Sequence, residues 1–295
     1  MLLATVTLWA LNFTVTKYVL SHGFQPIAYG CLRFGAAAAI LSTVAYGRER
    51  SFAMRRHDLV SLGAAALIGI FLNQLTFVYA VKLTTATTVA LLFGTLPVMA
   101  GLFALVLGID RVGTRFWLAG VLAAFGAALV AVGSSGAVSG HVWGDLLALA
   151  ATATWAWYSV AAAPLLRGYS PLRVSSLAFV IGSIPLFIAG APQLASQDYS
   201  FGAGIWLLYV FAVVGPLFVA NLLWFGAISR VGPSRASVFA NLQPFLAAVF
   251  SLLILGESMT RLQIAGGLAI AGAIVLSRDR IAPARVRAAP QGAGK

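Results

Sequence analysis

Long apolar runs, each near twenty residues and each closed by a short polar or Gly/Pro-containing interruption, divide the chain from end to end. A helix needs about 20 apolar residues to cross the hydrocarbon core of a bilayer. On that basis the pattern predicts ten spans: Leu2–Leu20, Pro26–Tyr46, Leu59–Ala80, Thr85–Leu107, Phe116–Gly133, Trp143–Ala163, Leu172–Ala191, Gly204–Ser229, Ser234–Leu255 and Leu262–Ser277. The interruptions, such as Gly47–Asp58 and Gln193–Gly202, are too short for a separate soluble domain. The predicted class is therefore an all-α polytopic membrane protein. The first run has no basic segment before it, its first basic residue being Lys17, so it is expected to stay as a helix rather than be cleaved as a signal peptide.

The pattern also repeats. Pro97 is followed by Asp110, Gly120 and Gly126; Pro244 is followed by Glu257, Gly266 and Gly272. The offset is 147 residues for the prolines and acids and 146 for the glycines. Two halves of five helices follow, residues 1–133 and 143–277, with a basic tail at 278–295 expected to be disordered. Five is odd, so the second half enters the membrane upside down relative to the first. The expected architecture is a 5+5 inverted-topology repeat, the scaffold of many secondary transporters.

Composition narrows the class. The chain is 61% hydrophobic and 9% charged, where a soluble domain carries about 25% charged residues. A net charge of +12 would suit nucleic acid if it formed one stripe, but the cations are sorted by loop instead. Of the 19 Lys and Arg, Arg33 lies within a helix, and Lys17, Lys82 and Arg261 fall on one side of the membrane. The other fifteen fall on the opposite side. Cytoplasmic loops retain Lys and Arg, so both termini are expected in the cytoplasm of a cell-membrane protein. The partners expected are the bilayer and a small-molecule substrate, not nucleic acid. Gly/Ala ridges such as Gly120 to Gly126 permit close helix packing, within one chain or in a homodimer.

The lone Cys31 allows no internal disulfide, and His22, His57 and His141 are scattered in or beside loops. No P-loop and no HExxH occurs, so no metal, cofactor or ATP hydrolysis is expected. The seven acids are dispersed, which leaves no cluster for catalysis. A membrane-embedded enzyme on lipid-linked substrates would need such a cluster. A non-transporting scaffold is the other alternative.

The residues Trp9-Ala10-Leu11-Asn12-Phe13, Lys17, Pro26, Arg33-Phe34, Ala80, Pro97 and Gly108-Ile109-Asp110 form an ordered set in the first half. Gly144-Asp145, Trp155-Ala156, Pro171, Ala227, Pro244, Leu255-Gly256-Glu257, Gly266 and Gly272 follow in the second. The whole resembles the EamA-type drug/metabolite transporters, with two EamA repeats covering nearly the entire chain. The resemblance implies a ten-helix exporter or exchanger of small metabolites such as amino acids. It also implies a central cavity walled by helices other than the fifth and tenth. Asp110 stands where the family often has Glu.

Arg33 sits about two turns into the second helix. A buried Arg costs on the order of 2.5–3.5 kcal/mol on insertion scales. It therefore either meets a carboxylate of the substrate across a cavity or snorkels toward headgroups and helix-end carbonyls. Lys17 is read as snorkelling or as drawing anions to the cavity mouth. Asn12, Gln74, Tyr79, Trp155, Tyr158, Asn221 and Trp224 are the further candidates for a substrate site; Asn73, Asn241 and Gln243 also lie at membrane depth. Gln74 and Asn221 are repeat-equivalent, as are Phe77 and Trp224, and Trp9 and Trp155. Pro97 and Pro244 are expected to kink their helices and shape the cavity or act as hinges. Asp110, Asp145 and Glu257 are expected at turns or caps. No carboxylate lies at a helix centre, which favours anionic, zwitterionic or neutral substrates over cations.

Overall fold

The computed structural model describes residues 1–108, 114–133, 138–231, 236, 239–240 and 242–277. Asp110, Asn241 and the 278–295 tail lie outside them. Among the described residues the protein is all-helical: α1 (Leu2–Ser21), α2 (Pro26–Glu49), α3 (Arg56–Leu83), α4 (Ala86–Phe93), α5 (Leu96–Val106), α6 (Thr114–Gly133), α7 (Val138–Ala162), α8 (Pro171–Ser196), α9 (Ala203–Arg230), α10 (Gln243–Leu255) and α11 (Arg261–Ser277). Six helices are long and apolar enough to cross a membrane, and α4 with α5 makes a seventh span if counted as one. Trp117–Gly133 and Gln243–Leu255 are shorter apolar helices.

Local chemistry sets the ends. Pro26 and Pro171 occupy first turns, where a missing N–H costs nothing. The Thr85 hydroxyl accepts from the Thr88 N–H at 3.0 Å, and the Ser170 hydroxyl from the Arg173 N–H at 3.0 Å, each satisfying an orphan donor of its helix. Gly256, at φ 68°, closes α10 in the left-handed conformation that a side chain resists.

The helices depart from regular geometry at a few points. The apolar run from Thr85 to Leu107 breaks at Gly94 and Thr95, and α4 and α5 meet at 41°. Pro97 stands in the first turn of α5, so the bend expected there takes the form of this break, and Pro244 stands in the first turn of α10. Leu67–Leu72 within α3 and Val213–Ala220 within α9 are π-helical. The 147-residue offset superimposes these two segments, so the irregularity is itself repeated.

Helix α2 packs along α8, and α6 along α11. Contacts of α1 with α9 and α10 have counterparts in contacts of α7 with α3 and α5, and α4 meets α10. Apart from the α4–α10 contact, whose counterpart falls largely outside the described residues, exchanging the two halves of the chain leaves this pairing scheme unchanged. Close approach needs glycine at a few points. A Cβ on Gly126 would lie 2.7 Å from the Gly266 carbonyl oxygen, and one on Gly69 would lie 2.1 Å from Tyr158 Cβ. The Gly126 contact places at least part of the small-residue ridge inside one chain.

Candidate functional site

Halfway along the helices, α1, α2, α3, α7, α9 and α10, with the α4–α5 break, surround a small cavity of about 80 Å³. Trp9, Asn12 and Phe13 supply the α1 wall. Their spacing puts them on one face of one helix. Arg33 and Phe34 come from α2, and Asn73, Gln74 and Phe77 from α3. The second half contributes Trp155, Pro216, Leu217, Asn221 and Gln243. Among the described residues, neither α6 nor α11 reaches it.

The two π-helical segments lead directly into this wall. One ends at Leu72 before Asn73 and Gln74; the other ends at Ala220 before Asn221 and carries Pro216. The extra residue in a π turn loosens the backbone ladder, a feature that recurs at functional sites. The Pro216 carbonyl accepts from the Trp9 indole N–H at 3.2 Å. Asn73 is anchored by its amide, which donates to the Ala151 carbonyl at 2.7 Å and to Thr154 at 3.1 Å. Asn221 accepts from the Ser175 hydroxyl at 2.7 Å.

Arg33 is 1% exposed and lines the cavity. It does not snorkel. Its guanidinium donates to Asn12 Oδ1 at 3.2 Å and Thr16 Oγ1 at 3.5 Å, and its central carbon lies 4.8 Å from the centre of the Tyr29 ring. No carboxylate among the described residues pairs with it, and its Nε has no hydrogen-bond partner there. The ring contact contributes about 0.5–2 kcal/mol and the hydrogen bond to Asn12 about 1.5–3 kcal/mol, of the same order as the roughly 2.5–3.5 kcal/mol for burying the cation. What stays unmet is a counter-charge and a partner for Nε. Gln74, 2% exposed, has an amide nitrogen equally without a partner. That nitrogen lies 2.9 Å from where a Cβ on Gly30 would stand, and Gly30 is one helical turn from Arg33.

The sequence candidates divide cleanly. Arg33, Asn12, Gln74, Trp155 and Asn221 line the cavity; Tyr79, Tyr158 and Trp224 do not. The Tyr79 hydroxyl accepts from Gln193 at 3.1 Å. Trp224, 1% exposed, stands behind Trp9 with ring centres 5.1 Å apart and donates to Ser159 at 3.4 Å. Tyr158 is fully buried between Trp155 and Phe225. The repeat-equivalent Trp9 and Trp155 meet edge to face at 5.5 Å. Sequence reasoning missed Phe13, Phe93 and Pro216 on the wall and Tyr29 behind Arg33. The i, i+4 spacings from Trp9 to Phe13 and from Tyr29 to Arg33 carry the signal that could have found two of them.

At the end of the bundle opposite Met1, side chains tie the halves together. The Glu257 carboxylate accepts from the Ala86 and Thr87 N–H groups at 3.2 and 3.1 Å and from the Thr87 hydroxyl at 2.9 Å. An acid from the second half thus caps a helix of the first, where the helix dipole favours negative charge. Lys17 does not line the cavity: its ammonium donates to the helix-end carbonyls of Val81, Lys82 and Thr84 at 3.0, 3.3 and 2.7 Å. Thr14 and Ser251 share a hydrogen bond of 3.2 Å between α1 and α10. At the other end, Arg173 grips Glu49 through Nε and Nη2, both at 2.9 Å, and Ser170 donates to the same carboxylate. Among the described residues no cluster of His, Cys, Asp or Glu is arranged to hold a metal.

Known proteins place this geometry. A transporter of Archaeoglobus fulgidus, described as uncharacterized, is 26% identical over 94% of this chain and 97% of its own length. The uncharacterized transporter YyaM of Bacillus subtilis is 26% identical over 90% of this chain and 88% of its own. A protein of Streptantibioticus cattleyicolor named "Probable terminal-alkyne amino-acid exporter" is 25% identical over 98% of this chain and 96% of its own. A solved crystal structure superposes with a TM-score of 0.62 over 92% of this chain and 95% of that one, at 17% identity, a likeness of fold. The model of the EamA-like transporter family matches twice, at residues 1–132 and 142–278. With both matches together spanning nearly all of its length, this multi-pass membrane protein belongs to the EamA-like transporter family.

Proposed function

We propose that the protein is a secondary transporter that exports small polar or amphipathic metabolites, amino acids among them, by alternating access. The single observation that carries this reading is the cavity halfway along the helices, walled by both halves of a repeated chain and holding an arginine with no counter-charge among the described residues. Two related halves in opposite orientation have two packings of similar energy, one open to each side. The pairing scheme that survives exchange of the halves supports the ten-helix, 5+5 inverted arrangement, and so does the doubled family match. The charge sorting supports cytoplasmic termini and a cell-membrane location. In this reading Arg33, Asn12, Gln74, Trp155 and Asn221 contact substrate, and the helix starts at Pro97 and Pro244 bend as the access changes. With the Glu257 end facing the exterior in this reading, its bonds support a bundle closed toward that side. The amino-acid export named for the S. cattleyicolor relative supports substrates of that size.

The test is flux. Purified protein in liposomes is loaded with a broad panel of amino acids, nucleosides and organic acids, and efflux is followed against protein-free liposomes. Saturable efflux of at least one compound is expected. No movement of any panel member by folded protein overturns the reading.

A further inference from the structure

The wall of the central cavity is electrically lopsided. Its charged member is Arg33, and no acid among the described residues lines it. Each described acid is engaged or sited elsewhere. Glu49 pairs with Arg173, Asp58 accepts from Tyr169 and Glu257 caps α4. Asp198 accepts from the Ser200 N–H in the loop after α8, and Asp145 lies in the early turns of α7 beside Leu146 and Val142. A cation in the cavity would meet amides and rings without an opposing charge.

The donors there point the other way. Arg33 Nε and Gln74 Nε2 are both buried and both without a hydrogen-bond partner. Gln74, on α3, packs its amide against Gly30, which lies one turn before Arg33 on α2. A buried donor without an acceptor costs on the order of 1–3 kcal/mol, more where charge is involved. A carboxylate supplies two acceptor oxygens and the missing negative charge together, and a guanidinium fork suits its planar geometry. Phe13, Phe77 and Phe93, with ring centres 5.2 to 6.2 Å apart, form an apolar wall beside this pole.

We propose that the central site selects net anions: a small monocarboxylate docks its head on Arg33 and Gln74 and lays its hydrocarbon body against the Phe13, Phe77 and Phe93 rings. This rests on the reading of the cavity as the substrate site and sharpens it. An α-ammonium group finds no counter-charge, so an amino acid binds more weakly than the same molecule without its amino group. A simple amine binds least.

The test uses a set matched around leucine: 4-methylpentanoate, which lacks its amino group, leucine itself and 3-methylbutylamine, which lacks its carboxylate, extended by unbranched acids from acetate to octanoate. Binding to the purified protein is measured by calorimetry, and flux separately in liposomes. The acid is expected to bind about tenfold or more tightly than leucine, with no binding of the amine. Arg33→Gln is expected to weaken the acid about ten- to a hundredfold, the loss of a charge-assisted contact, and to abolish the preference over leucine. Arg33→Lys is expected to retain the preference at reduced affinity. The ranking is read on the unmodified protein, so a variant that fails to fold does not remove the test. Equal or tighter binding of leucine or the amine, or no binding by any acid, overturns the proposal. Acid binding without flux leaves the anion site standing and sinks the transport reading. Flux of other solutes without charge preference does the reverse.

Discussion

Replacing Glu257 with alanine should loosen one end of the bundle and leave the rest intact. Three hydrogen bonds join this carboxylate to the first turn of α4. Hydrogen bonds to a charged group contribute about 1.5–3 kcal/mol each when well buried. Glu257 is only half-buried, water competes for the freed N–H groups, and the three bonds share one acceptor group. A net loss of about 2–3 kcal/mol is reasonable, which shifts a closed–open equilibrium about 30- to 150-fold. The reporter is Thr14→Cys in a Cys31→Ser background. Thr14 is fully buried at the α1–α10 contact, so a membrane-impermeant maleimide reaches it only when that end opens. Its labelling rate should rise by about the same 30- to 150-fold in Glu257→Ala, while a cysteine at the fully buried Ala178 stays unreactive. An unchanged rate at Thr14 refutes the idea that this cap holds the end closed. Equal acceleration at both positions means general unfolding and refutes it too.

Other outcomes follow from the same geometry. Gly126→Leu drives a side chain into the Gly266 backbone and should lower stability by about 1–3 kcal/mol, the range for overpacking. Gly120→Ala, whose nearest neighbour would be 3.8 Å away, should leave the melting temperature in detergent unchanged. Lys17→Met leaves the helix-end carbonyls of Val81 and Thr84 without their donor and should cost about 1–3 kcal/mol, read as a lower melting temperature. Arg173→Ala removes a two-point grip on Glu49 whose side chains are 21% and 19% exposed. It should cost about 1 kcal/mol, less at high salt, because partly exposed ion pairs are screened.

Hydropathy made the helices legible because a bilayer demands long apolar runs, and most of their predicted ends fall within about five residues of the observed ones, the run predicted from Ser234 being the exception, since α10 begins at Gln243. Depth along a helix was legible for the same reason, which is why Arg33 could be placed about two turns into its helix and Asn12 and Gln74 at membrane depth. Direction around a helix was not. Lipid and protein interior are both apolar, so a helix such as α7 does not announce which of Trp155 and Tyr158 faces a cavity. The break at Gly94 and Thr95 hides inside an apolar run, because hydropathy is blind to backbone geometry. The π-helical turns at Leu67–Leu72 and Val213–Ala220 escape for the same reason. Glu257 was read correctly as a cap, but the helix it caps lies 170 residues away in sequence. Only the tertiary fold supplies that partner. Asp110, its repeat counterpart, lies outside the described residues.

The central claim is that one cavity opens in turn to both sides. Leu217 lines that cavity from the second half, and cysteine is smaller than leucine, so the change adds no bulk there. With Leu217→Cys in a Cys31→Ser background, vesicles of each orientation are treated with a membrane-impermeant thiol reagent from the outside only. The account expects the cysteine to react in both orientations and to be protected in both by a transported substrate. Reaction from one side alone, whatever the substrate or orientation, would contradict alternating access.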